Sequence, residues 1–397
     1  MRAALGLLAA VSLLARAPSA AGAETAEARA DRLLKTAGFR GGLVVHVGCG
    51  EGELTAALGA REGFLVLGLA RDHAQVEPAR RRLVRAGLGG KVVIHSWSGR
   101  RLPLVDNSVR LIVVEKPATV PRDELLRSLC PEGVALVRCN DKWEKTIKPW
   151  PDEIDEWTHY LHDAGGNAVA RDTRVGPPRH MQWLCGPRWM RNHHMLAGIS
   201  AVVSEGGRLF YILDEGPSAN LNVPGKWTVV ARDAFSGVLL WKRPIDSWAH
   251  WQHRFRSGPV QLSRLLVAGP GRVYVPLGLN AQLTALDAAG GEVLRTYYHT
   301  HGPEEVLLDG NQLLVVAASP TTAQQVAGPG KPKSPRNRKV DRRGAAKAPY
   351  VRTLMLIDAE SGKLFWKWSS DAGNPEPLGL AMDGRRVCFQ LGKGIVC

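Results

Sequence analysis

The sequence is poor in reactive and structural landmarks. Its six cysteines, at positions 49, 130, 139, 185, 388 and 397, form no Cys-x-x-Cys pair and no dense framework, which excludes a zinc-ribbon site and a disulfide-built scaffold. No two are adjacent, and no Cys-x-x-Cys-His is present for haem. A bridge from Cys388 to Cys397 across a hairpin stays open. No P-loop, Ser/His/Asp set or paired-carboxylate arrangement stands out, so no catalytic residue is assigned. Long apolar runs are also missing, apart from "AALGLLAAVSLLA" near the start. That run is shorter than the roughly 20 residues a membrane helix needs.

Met1 and Arg2 precede the run, and "SAAGA" follows it with Ala21 and Ala23 at small-residue spacing. Residues 1–23 therefore read as a signal peptide, and the mature chain as exported, periplasmic or extracellular. No other segment has the character of a transmembrane span. The formal net charge is +15, and between Lys331 and Arg352 nine Lys or Arg face a single Asp. About half of the excess thus sits in one Pro-rich, non-periodic stretch, read as a disordered basic insertion at 328–350. Segment 331–352 could touch anionic polymers electrostatically. No specific nucleic-acid partner is expected.

Two patterns divide the remainder. From 24 to 142, apolar runs such as "GLVVHVG", "FLVLGLA", "KVVIHSW", "NSVRLIVVE" and "GVALVR" alternate with helical segments such as "ARADRLLKTAG" and "QVEPARRRLVRAG". This alternation predicts an α/β domain with a parallel sheet covered on both faces. In such sheets ligands lie beyond the carboxyl ends of the strands, where Gly48, Gly50 and Gly52 fall. From about Trp143 the periodicity changes to short strands with turn signals. "DAFSG" at Asp233, "DAAGG" at Asp287 and "DAESG" at Asp358 each lie between two strands. Asp at the head of such a turn accepts backbone hydrogen bonds, and Gly at its end takes the positive φ. Glycine-led strands, "GGRLFYIL", "PGRVYVPL", "DGNQLLVV" and "DGRRVCFQ", recur between them, which predicts repeated four-stranded units.

"HVGCGEGELTAAL", "LPLVDNSVRLIVV" and "LLRSLCPEGVALV" occur in the order and spacing of class I S-adenosylmethionine-dependent methyltransferases, and the first part of the chain resembles that Rossmann-like family. The resemblance implies a cofactor site at Gly48, Gly50 and Gly52, and it also shows departures. His46 stands where the family has an acid before the first glycine. Ala70 stands where an Asp or Glu holds the ribose, with Asp72 two residues on as the available substitute. Ser98 replaces the acid that contacts the adenine, and Arg110 replaces the Asp opening the fourth strand. Lost acceptors cost about 1–3 kcal/mol for each buried donor left unpaired. After "GVALVR" no clear closing strands follow, so the domain is expected to be truncated.

The turn repeats resemble the pyrroloquinoline-quinone-type (PQQ-like) β-propeller family. Trp241 and Trp366 fill its final tryptophan position, and Arg295 replaces it in the middle repeat. The lead-in "EWTHYLHDAGG" matches that family's Trp-x-x-Tyr-x-x-Asp segment through Trp157, Tyr160 and Asp163. The expected organisation is a methyltransferase-like domain at 24–142, a linker and lead-in at 143–190, and about three to four blades at 191–397. That is a partial propeller, expected from a fragment of a longer protein. The combination resembles a family of large planctomycete-type secreted proteins.

The paired histidines, His159 and His162, His193 and His194, His250 and His253, His299 and His301, have no carboxylate or cysteine at ligand spacing beside them, and no metal site is assigned. Pyrroloquinoline quinone is not expected, and S-adenosylmethionine is the one cofactor the resemblance offers. The function favoured is a non-catalytic exported binding or assembly protein, with an unidentified protein or polysaccharide ligand on the propeller. The alternative is an S-adenosylmethionine-dependent methyltransferase with a propeller accessory domain. Quinone-dependent oxidation ranks behind both.

Overall fold

The computed structural model describes residues 24–116, 119–140, 142–174, 176–177, 181–189, 198–218, 223–246, 248, 260–278, 280–318, 351–370 and 373–397. The signal segment 1–23, the basic insertion 328–350, and His193, His194, His250 and His253 lie outside the described residues.

The alternating segments fold as their periods dictate. Strands β1 (Gly42–Val47), β2 (Phe64–Ala70), β3 (Val92–Ser96), β4 (Val109–Val114) and β5 (Leu129–Cys139) pair in parallel. Helices α1 (Ala26–Ala37), α2 (Glu53–Gly59) and α3 (Val76–Arg85) bury Leu33, Leu58 and Leu83 in a core that also holds Val44, Val66 and Leu111 of the strands. Helix α4 (Arg122–Ser128) contributes Leu125 to a separate core with Val45, Leu69 and Ile112. A strand buried on both faces reads as a continuous apolar run, which is what "LIVV" in β4 is, after Arg110.

One strand departs from expectation. β6 (Lys142–Ile147) runs antiparallel along β5 and completes a sheet of order β3-β2-β1-β4-β5-β6. No closing strand is legible in "KWEKTI" because it sits at the sheet edge with four of its six residues exposed, so charge alternation masks the strand pattern. The order is the doubly wound one, and it reverses between β1 and β4.

The rest of the chain forms four antiparallel sheets. The first holds β7 (Ile199–Glu205), β8 (Arg208–Asp214), β9 (Trp227–Asp233) and β10 (Leu239–Pro244). The second holds β11 (Val267–Gly269), β12 (Arg272–Pro276), β13 (Leu283–Asp287) and β14 (Val293–Thr296). The third holds β15 (Pro303–Asp309), β16 (Gln312–Ala318), β17 (Arg352–Asp358) and β18 (Leu364–Trp368). In the fourth, β19 (Pro375–Met382), β20 (Val387–Leu391) and β21 (Gly394–Val396) pair in order, and a Cys388–Cys397 disulfide ties the last hairpin.

The leading strands are neighbours: β7 meets β11, β11 meets β15, and β15 meets β19. The lead-in segment bonds to each of them in turn. Ser204 N donates to Trp157 O at 2.8 Å, Ala268 N to Thr158 O at 2.9 Å, Leu308 N to His159 Nε2 at 2.9 Å and Met382 N to Ala164 O at 2.9 Å. Eight residues of irregular chain thus satisfy one donor from the first strand of each antiparallel sheet.

A second stitch joins the sheets at their turns. Trp241 Nε1 donates to Ala288 O of the "DAAGG" turn at 3.0 Å. At the first turn the donor is Trp183 of the linker, bonded to Ala234 O at 2.9 Å. At the third, where Arg295 replaces the tryptophan, the hydroxyl of Tyr297 donates to Ala359 O. The second residue of each Asp-Ala turn therefore receives an aromatic donor from the element before it.

Candidate functional site

Beyond the carboxyl ends of β1 and β4, where the strand order reverses, lies a crevice of about 370 Å³. Its floor is the turn after β1. Gly48 takes φ 82° there, and a β-carbon on it would stand 3.4 Å from that of Glu115. Gly50 lines the crevice with Gly48, whereas Gly52 lies beneath it as the residue before α2, packed on Ala79.

Three side chains organise the interior. Glu115 follows directly on β4 and accepts from Arg29 Nη2 of α1 through both oxygens, at 3.0 and 2.8 Å. His46 of β1, which is buried, places Nε2 3.2 Å from Glu115 Oε1 and Nδ1 2.8 Å from the Thr55 hydroxyl. Arg29 also lies over the Trp143 ring of β6 at 5.5 Å. Burial raises the Glu115 carboxyl, but the His46 hydrogen bond and the Arg29 charge outweigh it and hold the group below its ordinary value. The acid absent before Gly48 is thus present across the reversal point, supplied by β4. Burial pushes the neighbouring Cys49 thiol up to about 11, so it stays protonated and is no nucleophile near neutral pH.

The remaining positions of the resemblance go elsewhere. Asp72 does not line the crevice; its Oδ1 accepts from Ala74 N at 2.9 Å and caps a short 3-10 turn. Ala70 is wholly buried in the α1–α3 core, and Ser98 is exposed. Arg110 turns away from the crevice. It is buried in the seam with the first antiparallel sheet, where its Nε and Nη2 reach Asp233 Oδ2 at 3.0 and 2.6 Å and Nη2 reaches Gly207 O at 3.3 Å. Asp233 heads the first Asp-Ala turn. Arg40 adds Asp287 and Glu292 of the second sheet at 3.3 and 2.6 Å.

The crevice therefore has a glycine edge and a carboxylate, while Asp72, the acid nearest the end of β2, lies outside its lining. Sequence reasoning missed Arg29 and Glu115, although an acid ending the strand beside β1 was the signal for the latter.

Of the paired histidines that are described, His159 and His162 hold the lead-in segment. His159 is buried, accepts from Leu308 through Nε2 and meets the Thr158 hydroxyl at 2.7 Å through Nδ1. His162 is 2.7 Å from Asp155. His299 and His301 are exposed and lie beyond β14, outside any strand. Among the described residues no group of three or more His, Cys, Asp or Glu could hold a metal ion, and no helix is long and apolar enough to cross a membrane.

No family model matches the chain, and no curated protein matches it. Its neighbours among solved structures include S-adenosylmethionine-dependent methyltransferases, matched over little more than a quarter of this chain. A methyltransferase of Aquifex aeolicus is 22% identical with a TM-score of 0.25, over 28% of this chain and 67% of its own. A geranyl diphosphate C-methyltransferase of Streptomyces coelicolor, solved with magnesium, geranyl diphosphate and S-adenosyl-L-homocysteine, is 21% identical with a TM-score of 0.26, over 28% and 44%. The chain spans about half the length of the first solved structures it matches.

Proposed function

We propose that the chain is an exported, non-catalytic binding or assembly protein, in which a methyltransferase-like domain has become a docking body for a propeller-type repeat module. The observation that carries this is Arg110. At the opening of β4, where the resemblance expects an Asp, the chain has an arginine, and that arginine is buried against Asp233 of the repeats. The substitution fastens one module to the other.

Propeller blades are supported by the three four-stranded sheets, the adjacency of their leading strands and the lead-in segment that bonds to each sheet in sequence. Export is supported by the N-terminal segment, and the Cys388–Cys397 disulfide suits an oxidising compartment. On the crevice wall Arg29 pairs with Glu115, which leaves that carboxylate engaged within the fold.

Titration calorimetry of S-adenosylhomocysteine into the full chain tests the proposal. The expected result is no saturable heat at ligand concentrations up to about 1 mM, a limit of about −4 kcal/mol in binding free energy. The glycine edge and Glu115 favour one second reading, a retained methyltransferase. Binding near 1 μM, about −8 kcal/mol, would establish it and overturn the first.

A further inference from the structure

A second cavity, of about 510 Å³, opens between the lead-in segment, Arg264 and the fourth sheet. Leu161, Leu380 and Phe389 line it, and Gln390 and Lys393 are the polar side chains of its β20–β21 wall. Its size and mixed lining are those of a small-molecule pocket. It lies in the repeat module and shares no lining residue with the β1–β4 crevice.

Three observations meet there. Glu305 of β15 is fully buried and forms an ion pair with Nη1 of Arg264. Its second oxygen accepts from Leu378 N, at a residue held in the left-handed region at φ 76°. A leucine is seldom found there, and such conformations persist where the surroundings fix them and concentrate at ligand clamps. The third observation is the unused part of Arg264. Nε is buried without a partner, and Nη2 makes no hydrogen bond among the described residues. The guanidinium lies over the Tyr160 ring at 5.5 Å, which fixes its plane. Glu305 therefore cancels the arginine's charge and orients its fork while leaving donors for something else.

We propose that this cavity binds a carboxylate-bearing sugar, a hexuronate either free or at the end of an acidic polysaccharide. Arg264 would receive the carboxylate. With Arg264 and Glu305 cancelling, Lys393 leaves the wall one positive charge in excess, which matches a monoanion. Gln390 would serve the hydroxyls, and the apolar wall would take the C–H face of the ring. The inference deepens the binding role proposed for the repeats but does not depend on the crevice being empty, since the two sites belong to different modules.

The probe is D-galacturonate, with D-galactose as its neutral match and oligogalacturonate to separate a free sugar acid from a polymer end, titrated into the full chain at low salt. Galacturonate is expected to bind at about 1 mM or tighter and at least about ten-fold more tightly than galactose. Arg264→Lys keeps a cation opposite Glu305 but removes the fork, and should weaken galacturonate about ten-fold or more. Lys393→Ala alters an exposed residue and should weaken it about three-fold, so it serves should the first variant fail to fold. Equal binding of the two monosaccharides, no binding of either at about 10 mM, or full galacturonate affinity in folded variants would overturn the proposal. Loss of S-adenosylhomocysteine binding has no bearing on it, which keeps the two readings separable.

Discussion

Arg110 and His159 show how single residues carry this fold. Arg110 is buried with Asp233, and removing one member of a buried pair strands the other's charge. Arg110→Met should therefore lower stability by about 3–5 kcal/mol in urea unfolding, while Arg40→Met, which breaks solvent-exposed pairs with Glu292 and Asp287, should change it far less. Equal effects would mean the seam is not held at Arg110. His159 is held neutral, its pKa pushed down to about 4 by burial, because Nε2 must accept from Leu308. The unfolded imidazole titrates near 6.5, so the unfolded state takes up the proton first as pH falls. Stability should decline from about pH 6.5 towards pH 4 by roughly 2–3 kcal/mol from this residue, and His159→Gln, whose amide oxygen can still accept, should remove that slope. At this scale the sequence is half legible. Arg110 stands out as a departure and His159 as one of a pair of histidines. Their partners lie 123 and 149 residues away, and no local pattern encodes such a distance.

Among elements, the best-marked feature is the Asp-Ala turn with an aromatic donor. Trp183, Trp241 and Tyr297 all reach the same carbonyl of successive turns, although only Trp241 occupies the expected repeat position. A hydrogen-bond acceptor can be served from any residue that reaches it, so geometry is kept while sequence drifts. Trp241→Ala removes a buried ring and its donor and should cost about 3–5 kcal/mol. Tyr297→Phe keeps the ring and loses only the hydroxyl, which should cost about 1 kcal/mol by the same unfolding assay. If the two losses were equal, the hydrogen bond rather than the packing would dominate the stitch. The turns, the repeated strands and the helices of the α/β domain are all readable beforehand because each is fixed by local period or by a glycine at positive φ. β6 is not, because a polar edge strand is fixed by pairing with β5 and by tertiary contacts such as Trp143 with Arg29, which leave no local period.

At the scale of the whole molecule, the seam between the α/β domain and the repeats carries an electrostatic tension that the Arg110 pair does not relieve. Glu205, at the end of β7, has one carboxyl oxygen buried without a partner. Burial and then the nearby Glu156 charge push its pKa up to about 7, with Glu132 of β5 adding to the effect and Arg208 of β8 opposing it. In the unfolded chain a glutamate titrates near 4.3, so between there and about 7 the folded state holds the extra proton. Stability from this group is therefore present at low pH and lost as pH rises through 7, opposite in sign to His159. Between about pH 4.5 and 6.5 the two slopes oppose each other, and the native protein should show a flat profile there. Glu205→Gln keeps the shape without the charge. It should stabilise the protein at pH 8 by about 1–2 kcal/mol, allowing for solvent screening, and leave it unchanged at pH 4. It should also expose the His159 slope that the native profile conceals. Urea unfolding of the parent and this variant at pH 4, 6 and 8 reads all three effects, and a gain of the same size at pH 4 and pH 8 would show that Glu205 acts through packing and not through its charge.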